Sequence, residues 1–247
     1  MRSILRVSLL ITPLLVACEP RAPVVRTLPE LVIEPSHAEL PTEMHVLLPP
    51  GEQLIWDVRA AGFSLGRVDW VVGDVEVHSR FATGEVASAF GAAHHELTTV
   101  IDRAAGRAVS ADEQFDHGGD HRKAMTSISA DSYAVDGGAR RALPAHGVGY
   151  TIHTAIGALR AWSASEHHAG TIELSVIVLG EPHRLTIEQV RDDEVGGTKA
   201  VRLDGHVDVD GTPAQFVLWL AATPTRIPLR MTIGVRGLSV VAQLVDG

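Results

Sequence analysis

"GEQLIWDVRAAGFSLGRVDWVVGDVEVHSR", residues 51–80, sets the period of the chain. Leu54, Trp56 and Val58 fall two apart, and so do Val68, Trp70 and Val72 in a second run. After Gly73 and Asp74, Val75 and Val77 alternate with Glu76, His78 and Arg80. A period of two places every second side chain on the same face of an extended backbone, which is the signature of strands. Apolar residues alternating with charged ones describe an antiparallel strand with one covered face and one wet face.

The same rhythm continues at 95–102, 107–115, 122–129, 171–179, 183–191, 198–209, 214–221, 227–235 and 238–245. Between these runs lie turn signals such as "AAGR", "HGGD", "VGGT", "DVDGT" and "ATPTR". The expected fold is therefore mainly β: an antiparallel meander of about ten strands forming a curved sheet or a half-closed barrel. One segment departs from it. In "GVGYTIHTAIGALRAW", Ile152, Ile156, Leu159 and Trp162 recur at helical spacing, which predicts an amphipathic helix over 150–163 that plugs a barrel end or covers the sheet. A weaker helical turn is expected within 84–93.

Ahead of this domain, residues 1–17 carry Arg2 and Arg6 before an apolar stretch from Leu9 to Val16, the layout of an export signal. The stretch is too short for a permanent membrane helix. Its end, Leu15-Val16-Ala17-Cys18, resembles the lipobox of bacterial lipoproteins, which implies a lipid on Cys18 after cleavage. Between Glu19 and Pro50 lie seven of the chain's thirteen prolines, so residues 18–50 read as an anchor cysteine and a semi-extended tether, and the β-domain as 51–247.

Composition narrows the function. Cys18 is the only cysteine, so no intramolecular disulfide and no cysteine-rich zinc site is available. A net charge of -9, more negative once the arginine-bearing leader is removed, argues against nucleic acid or acidic lipid as a partner. Nucleotide-binding glycine patterns are absent, and no cofactor is expected.

The stretches "GEQLIWDVRAAGFSLGRVDWVV" (51–72), "TTVIDRAAGRAVSADEQFD" (98–116), "HTAIGALRAW" (153–162) and "FVLWLAATPTRIPLRMTIGVRGLSVVAQLVD" (216–246) together resemble a bacterial exported family, the domain of unknown function 3108. The resemblance covers most of 51–247 and implies a curved antiparallel β-sheet or barrel in an envelope protein. It carries over no catalytic residue. Where many relatives have an acidic pair after the tryptophan-bearing strand, this chain has "AATPT" after Trp219.

Three constellations invite chemistry. "GFSLG", Gly62 to Gly66, matches the G-x-S-x-G nucleophile elbow, which needs a strand before Ser64 and a helix after it. The residues that follow alternate like a strand, so a loop between the first two strands is the favoured reading. Histidines and acids cluster at His94, His95 and Glu96, at Asp116, His117, Asp120 and His121, and at Glu166, His167 and His168. Such side chains suit zinc, but two glycines between His117 and His121 favour a turn over a shared helical face, and no metal site is expected. The third constellation is apolar: Trp56, Trp70, Trp162, Phe216 and Trp219 are read as facing inward. They are expected to form either core or, where the sheet stays half open, a greasy groove beneath the helix.

The expectation is a non-enzymatic lipoprotein on the periplasmic face of the outer membrane, binding a hydrophobic or glycan-like ligand or an envelope partner. Its rivals are a purely structural protein with a packed core and an enzyme using Ser64 or the histidine loops.

Overall fold

A computed structural model of the chain describes residues 46–89, 91–143, 148–165, 170–209, 211–235 and 237–247. The leader, Cys18 and the tether up to residue 45 lie outside the described residues, as do Glu166, His167 and His168.

Eight strands follow one another outward from the chain's start: β1 (Gln53–Ala60), β2 (Phe63–Val72), β3 (Glu76–Thr83), β4 (Ala93–Asp102), β5 (Arg107–His117), β6 (Asp120–Ile128), β7 (Ser132–Val135) and β8 (Arg141–Ala142). A single turn of helix, α1 (Glu85–Ser88), joins β3 to β4. The chain then crosses to the far edge as β9 (Gly149–Tyr150) and enters α2 (Ile152–Ala164). It returns through β10 (Ile172–Val178), β11 (Glu181–Val195), β12 (Thr198–Val209), β13 (Thr212–Ala221), β14 (Pro228–Val235) and β15 (Leu238–Asp246). β15 pairs antiparallel with β1, so both halves join into one fifteen-stranded ribbon ordered β8 to β1, then β15 to β9. Among the described residues only the β9–β10 pairing is parallel.

The ribbon coils like a scroll. Its edges, β8 and β9, are not hydrogen-bonded to each other, so the sheet does not close as a barrel. Instead β10 is buried on both faces. Leu174 and Val176 pack against α2, whereas Ile177, on the opposite face, packs with Ala108, Ile128 and Tyr133 of β5, β6 and β7. Side chains, rather than backbone bonds, hold one edge under the other.

α2 lies inside the coil. Thr151 caps it: its hydroxyl accepts from the Thr154 N–H while Thr154 reaches back to the Thr151 N–H. Leu159 and Trp162 enter the large cluster with Leu203, Phe216, Leu218 and Leu220, and Ile156 joins Trp56, Trp70 and Val72 on the other side. Arg160 is fully buried, with Nη1 and Nη2 on the two oxygens of Glu52 at 2.7 and 2.8 Å, and with the Thr225 carbonyl as a further acceptor. Gly157 has no side chain because Val46 and Leu48 occupy that space; a Cβ there would lie 2.3 Å from Val46 Cγ1.

Three expectations need correction. Among the described residues the strands number fifteen, not about ten; β7, β8 and β9 have two to four residues each, too few to display a period. The helix is not amphipathic toward water. His153, Thr154, Arg160 and Ser163 are buried, and each makes hydrogen bonds inside the fold. The helical turn expected within 84–93, by contrast, is present as α1. Residues 46–50, assigned to the tether, begin the packed unit: Leu48 is buried, and the Leu47 N–H donates to the Gly157 carbonyl. No helix among the described residues is long and apolar enough to cross a membrane.

Candidate ligand cavity

Hairpin turns alternate between the two ends of the coil. At one end, α2 sits beside the β13–β14 connection, with Arg160 bonded to Thr225 and Glu52, and Arg226 to the Ser163 carbonyl. Arg103 adds bonds to the carbonyls of Leu48, Gly73 and Asp74. This end is plugged. At the other end lie the β1–β2, β5–β6, β10–β11 and β12–β13 turns, and between them opens a cavity of about 1140 Å³. Its deep wall is apolar, with Trp56, Trp70, Ile152, Ile156, Leu218 and Met231. Volumes of roughly 300–1,000 Å³ already suit small-molecule ligands, so this space is ample.

Trp56 and Trp70 meet edge to face at 5.6 Å, and Trp70 meets the His153 ring likewise at 4.5 Å. Trp56 Nε1 donates to the Pro228 carbonyl. Behind this wall runs a polar chain that the sequence reading missed. The Thr99 hydroxyl donates to Thr151 Oγ1, so it accepts from His153 Nδ1 at 2.9 Å. That leaves His153 Nε2, 2.8 Å from Ser79 Oγ, to accept from the serine, whose side chain borders the cavity. Burial, helped by His95 and His78 nearby, pushes His153 down to about 3. The pair has the outline of a serine and its base, but an imidazole that resists protonation, oriented by a hydroxyl in place of a carboxylate, is a poor proton acceptor. Its role in the fold is to fasten the start of α2 to β3 and β4.

The four histidine candidates, on β4, β5 and β6, do not converge on one site. His94 and His121 both approach Asp116 on the outer face, where His121 hydrogen-bonds to it and His94 lies 3.8 Å away. The carboxyl of Asp116 is lowered, first by its bond from Gln114 and then by His121. His95 points the other way, into the cavity wall, with Nε2 2.7 Å from Glu113 Oε1. His117 stacks on Phe115. Alternation along each strand enforces this separation. Among the described residues no group of three or more His, Cys, Asp or Glu is arranged to hold a metal ion.

Ser64 lies on β2, exposed, donating to Asp57 Oδ1 at 3.0 Å. The strand runs on to Val72 without entering a helix, so the strained elbow geometry is not built.

The aromatic candidates divide three ways. Trp56 and Trp70 border the cavity, while Trp162 and Phe216 belong to the packed cluster around α2. Trp219 faces the opposite side of the sheet, and its inward assignment is corrected. It is one residue out of phase with Phe216 and Leu218, and packs with Val195, Val217 and Leu229. There Arg202 and Arg230 lie 4.9 and 5.1 Å from its ring, and its Nε1 donates to Asp193, a bond that is the main cause of that carboxyl's lowered pKa.

No protein-family model and no curated protein sequence matches the chain. Among solved structures it is similar to a beta-barrel-like protein of the domain of unknown function DUF1849 from Brucella abortus, with a TM-score of 0.56 and 12% identity over 78% of this chain and 95% of that one. At that identity the likeness is one of fold. The lipoprotein LppX of Mycobacterium tuberculosis (10% identity, 78% and 84% covered) and LprF of Mycobacterium bovis (14%, 79% and 86%) give TM-scores of 0.26 and 0.25, too low to guide interpretation.

Proposed function

We propose that the chain is an exported lipoprotein of the bacterial envelope, akin to the domain of unknown function 3108 family, whose coiled β-domain binds a hydrophobic ligand without catalysing a reaction on it. The observation that carries the reading is the cavity of about 1140 Å³, open at one end, plugged by α2 at the other, and walled by Trp56, Trp70, Ile156 and Leu218. A solidly packed structural domain has no use for such a void, because an apolar space that size forfeits contacts. The address rests on the sequence: the Leu15 to Cys18 lipobox and the export signal before it. Glu19 in place of an aspartate after Cys18 favours the outer membrane. Multiple acyl chains would hold the protein there stably.

Native mass spectrometry of the full protein purified from membranes tests anchor and cavity together. The expected spectrum shows covalent acyl mass on the fragment beginning at Cys18 and a second, non-covalent apolar molecule lost on denaturation. An unacylated Cys18 overturns the anchor. A protein that carries no small molecule and binds no apolar probe overturns the ligand reading and leaves an interaction protein.

A further inference from the structure

The cavity is not uniformly greasy. Three neighbouring strands set His95, Phe115 and Arg122 side by side in register, His95 opposite Phe115 and Phe115 opposite Arg122. All three border the cavity. They stand near the open end, where β4 begins, β5 finishes and β6 begins, whereas Trp56, Trp70 and Ile156 lie toward the plug.

Glu113 organises this level. Its side chain is only 4% exposed, with Oε1 on His95 Nε2 and Oε2 accepting the Leu179 N–H from the β10–β11 turn across the scroll. A carboxylate so placed takes the Nε2–H of His95 and leaves Nδ1 as the ring's remaining polar atom, without a hydrogen-bond partner among the described residues. Arg122 uses Nε on Asp120 at 3.2 Å, and its two terminal nitrogens have no partner among the described residues. The other cations that border the cavity, Lys123, Arg184 and Arg230, are engaged elsewhere: Lys123 is paired with Asp112, Arg230 lies over Trp219, and Arg184 has a partner of its own. In a chain of net charge -9, a guanidinium and a histidine share one level of a cavity whose depth is apolar.

We propose that the ligand is a single-chain anionic amphiphile, its carboxylate or phosphate head held by Arg122 beside His95 and its hydrocarbon tail lying toward α2 between Trp56, Trp70 and Ile156. This rests on the reading of the cavity as a ligand site and adds the head-group chemistry. Arg122 offers a fork of donors to two oxygens of the head; Nδ1 of His95, an acceptor while Glu113 holds the ring's one N–H, takes a hydrogen bond only from a head that keeps a proton, as a phosphate monoester does. From Leu65 to Trp70, β2 borders the cavity over roughly 17 Å, room for an extended chain below the head.

Competition against a dansyl-labelled undecanoic acid bound to the purified full chain tests the proposal, with dodecanoate, dodecyl phosphate and dodecanol as competitors of equal length. One or both anions should displace the probe at a concentration about tenfold or more below that of the alcohol, the scale of a charge-assisted hydrogen bond. The better anion identifies the head. Arg122→Gln should reduce that preference to within about threefold and leave displacement of a neutral dansyl amide by dodecanol unchanged; His95→Gln should reduce it less. Equal displacement by anions and alcohol, or an unaltered preference in Arg122→Gln, overturns the head site while leaving the cavity reading standing. Failure of both the acidic and the neutral probe to bind overturns the cavity reading itself.

Discussion

The two ends of the coil use polar residues in opposite ways. At the plugged end most are buried and bonded to one another: Arg160 grips Glu52 and Thr225, and Thr99, Thr151, His153 and Ser79 form a chain of bonds, although Arg226 Nε has no partner among the described residues. At the open end the rim pairs are exposed and loose, as Asp120 with Arg122 and Ser64 with Asp57 show, and one buried clasp, Glu113 with His95 and Leu179, lies just inside them. A buried donor or acceptor without a partner costs about 1–3 kcal/mol, so the plugged end tolerates little change. Solvent serves the open end as a substitute partner. The difference separates a part of the molecule that fixes shape from a part free to meet a ligand.

The largest effect expected from breaking this contrast lies at Arg160. Arg160→Ala leaves Glu52 buried without its cation and should cost about 3–5 kcal/mol in denaturant unfolding. Replacing both, as Glu52→Leu with Arg160→Met, should recover most of that loss, since a well-packed apolar pair is often neutral relative to a buried ion pair. A single variant as stable as the parent would show that the plug is held by packing alone.

Next in size is the pH response of His153. Within the fold it takes a proton only near pH 3, against 6.5 for the free side chain. Between those values the unfolded chain holds more protons than the folded one, so stability rises with pH. His153 therefore leaves stability intact above 6.5 and erodes it as pH falls toward 3, by up to about 1.4 kcal/mol per pH unit. His153→Gln should flatten that part of a pH series of unfolding curves. An unchanged slope would place the acid sensitivity elsewhere.

The smallest effect belongs to the open end, where Ser64→Ala should shift stability by no more than about 0.5 kcal/mol. A loss comparable to that at Arg160 would erase the contrast between the ends.

Much of this was legible in the residues, and the exceptions have physical causes. Alternation reports the covered face of a strand directly, so the runs at Leu54 to Val58 and Val68 to Val72 appear where the period places them. The same period, applied strictly to "FVLWLA", puts Trp219 opposite Phe216 and Leu218; residue size had drawn it inward. The seam where Ile177 meets Ala108 and Tyr133, and the clasp from Glu113 to Leu179, join residues dozens of positions apart and leave no local trace. His153 was also missed, its serine partner lying 74 residues earlier. A signal for it exists in "YTIHTA": threonines set three apart at a helix start mark a cap, and a histidine between them in an apolar helix needs partners from elsewhere.

Both termini of the described fold meet in the middle of the ribbon, through β1 and β15, and the ribbon's free edges belong to the middle of the chain. Among the described strands β1 is therefore made first during synthesis and its second partner, β15, last. Until β15 is available no backbone ladder joins the two meanders, one with β1 as an open edge and the other with β14 as an open edge. The last strand acts as a completion check: a chain stopped before Leu238 keeps nearly all its local hairpins yet cannot become one sheet.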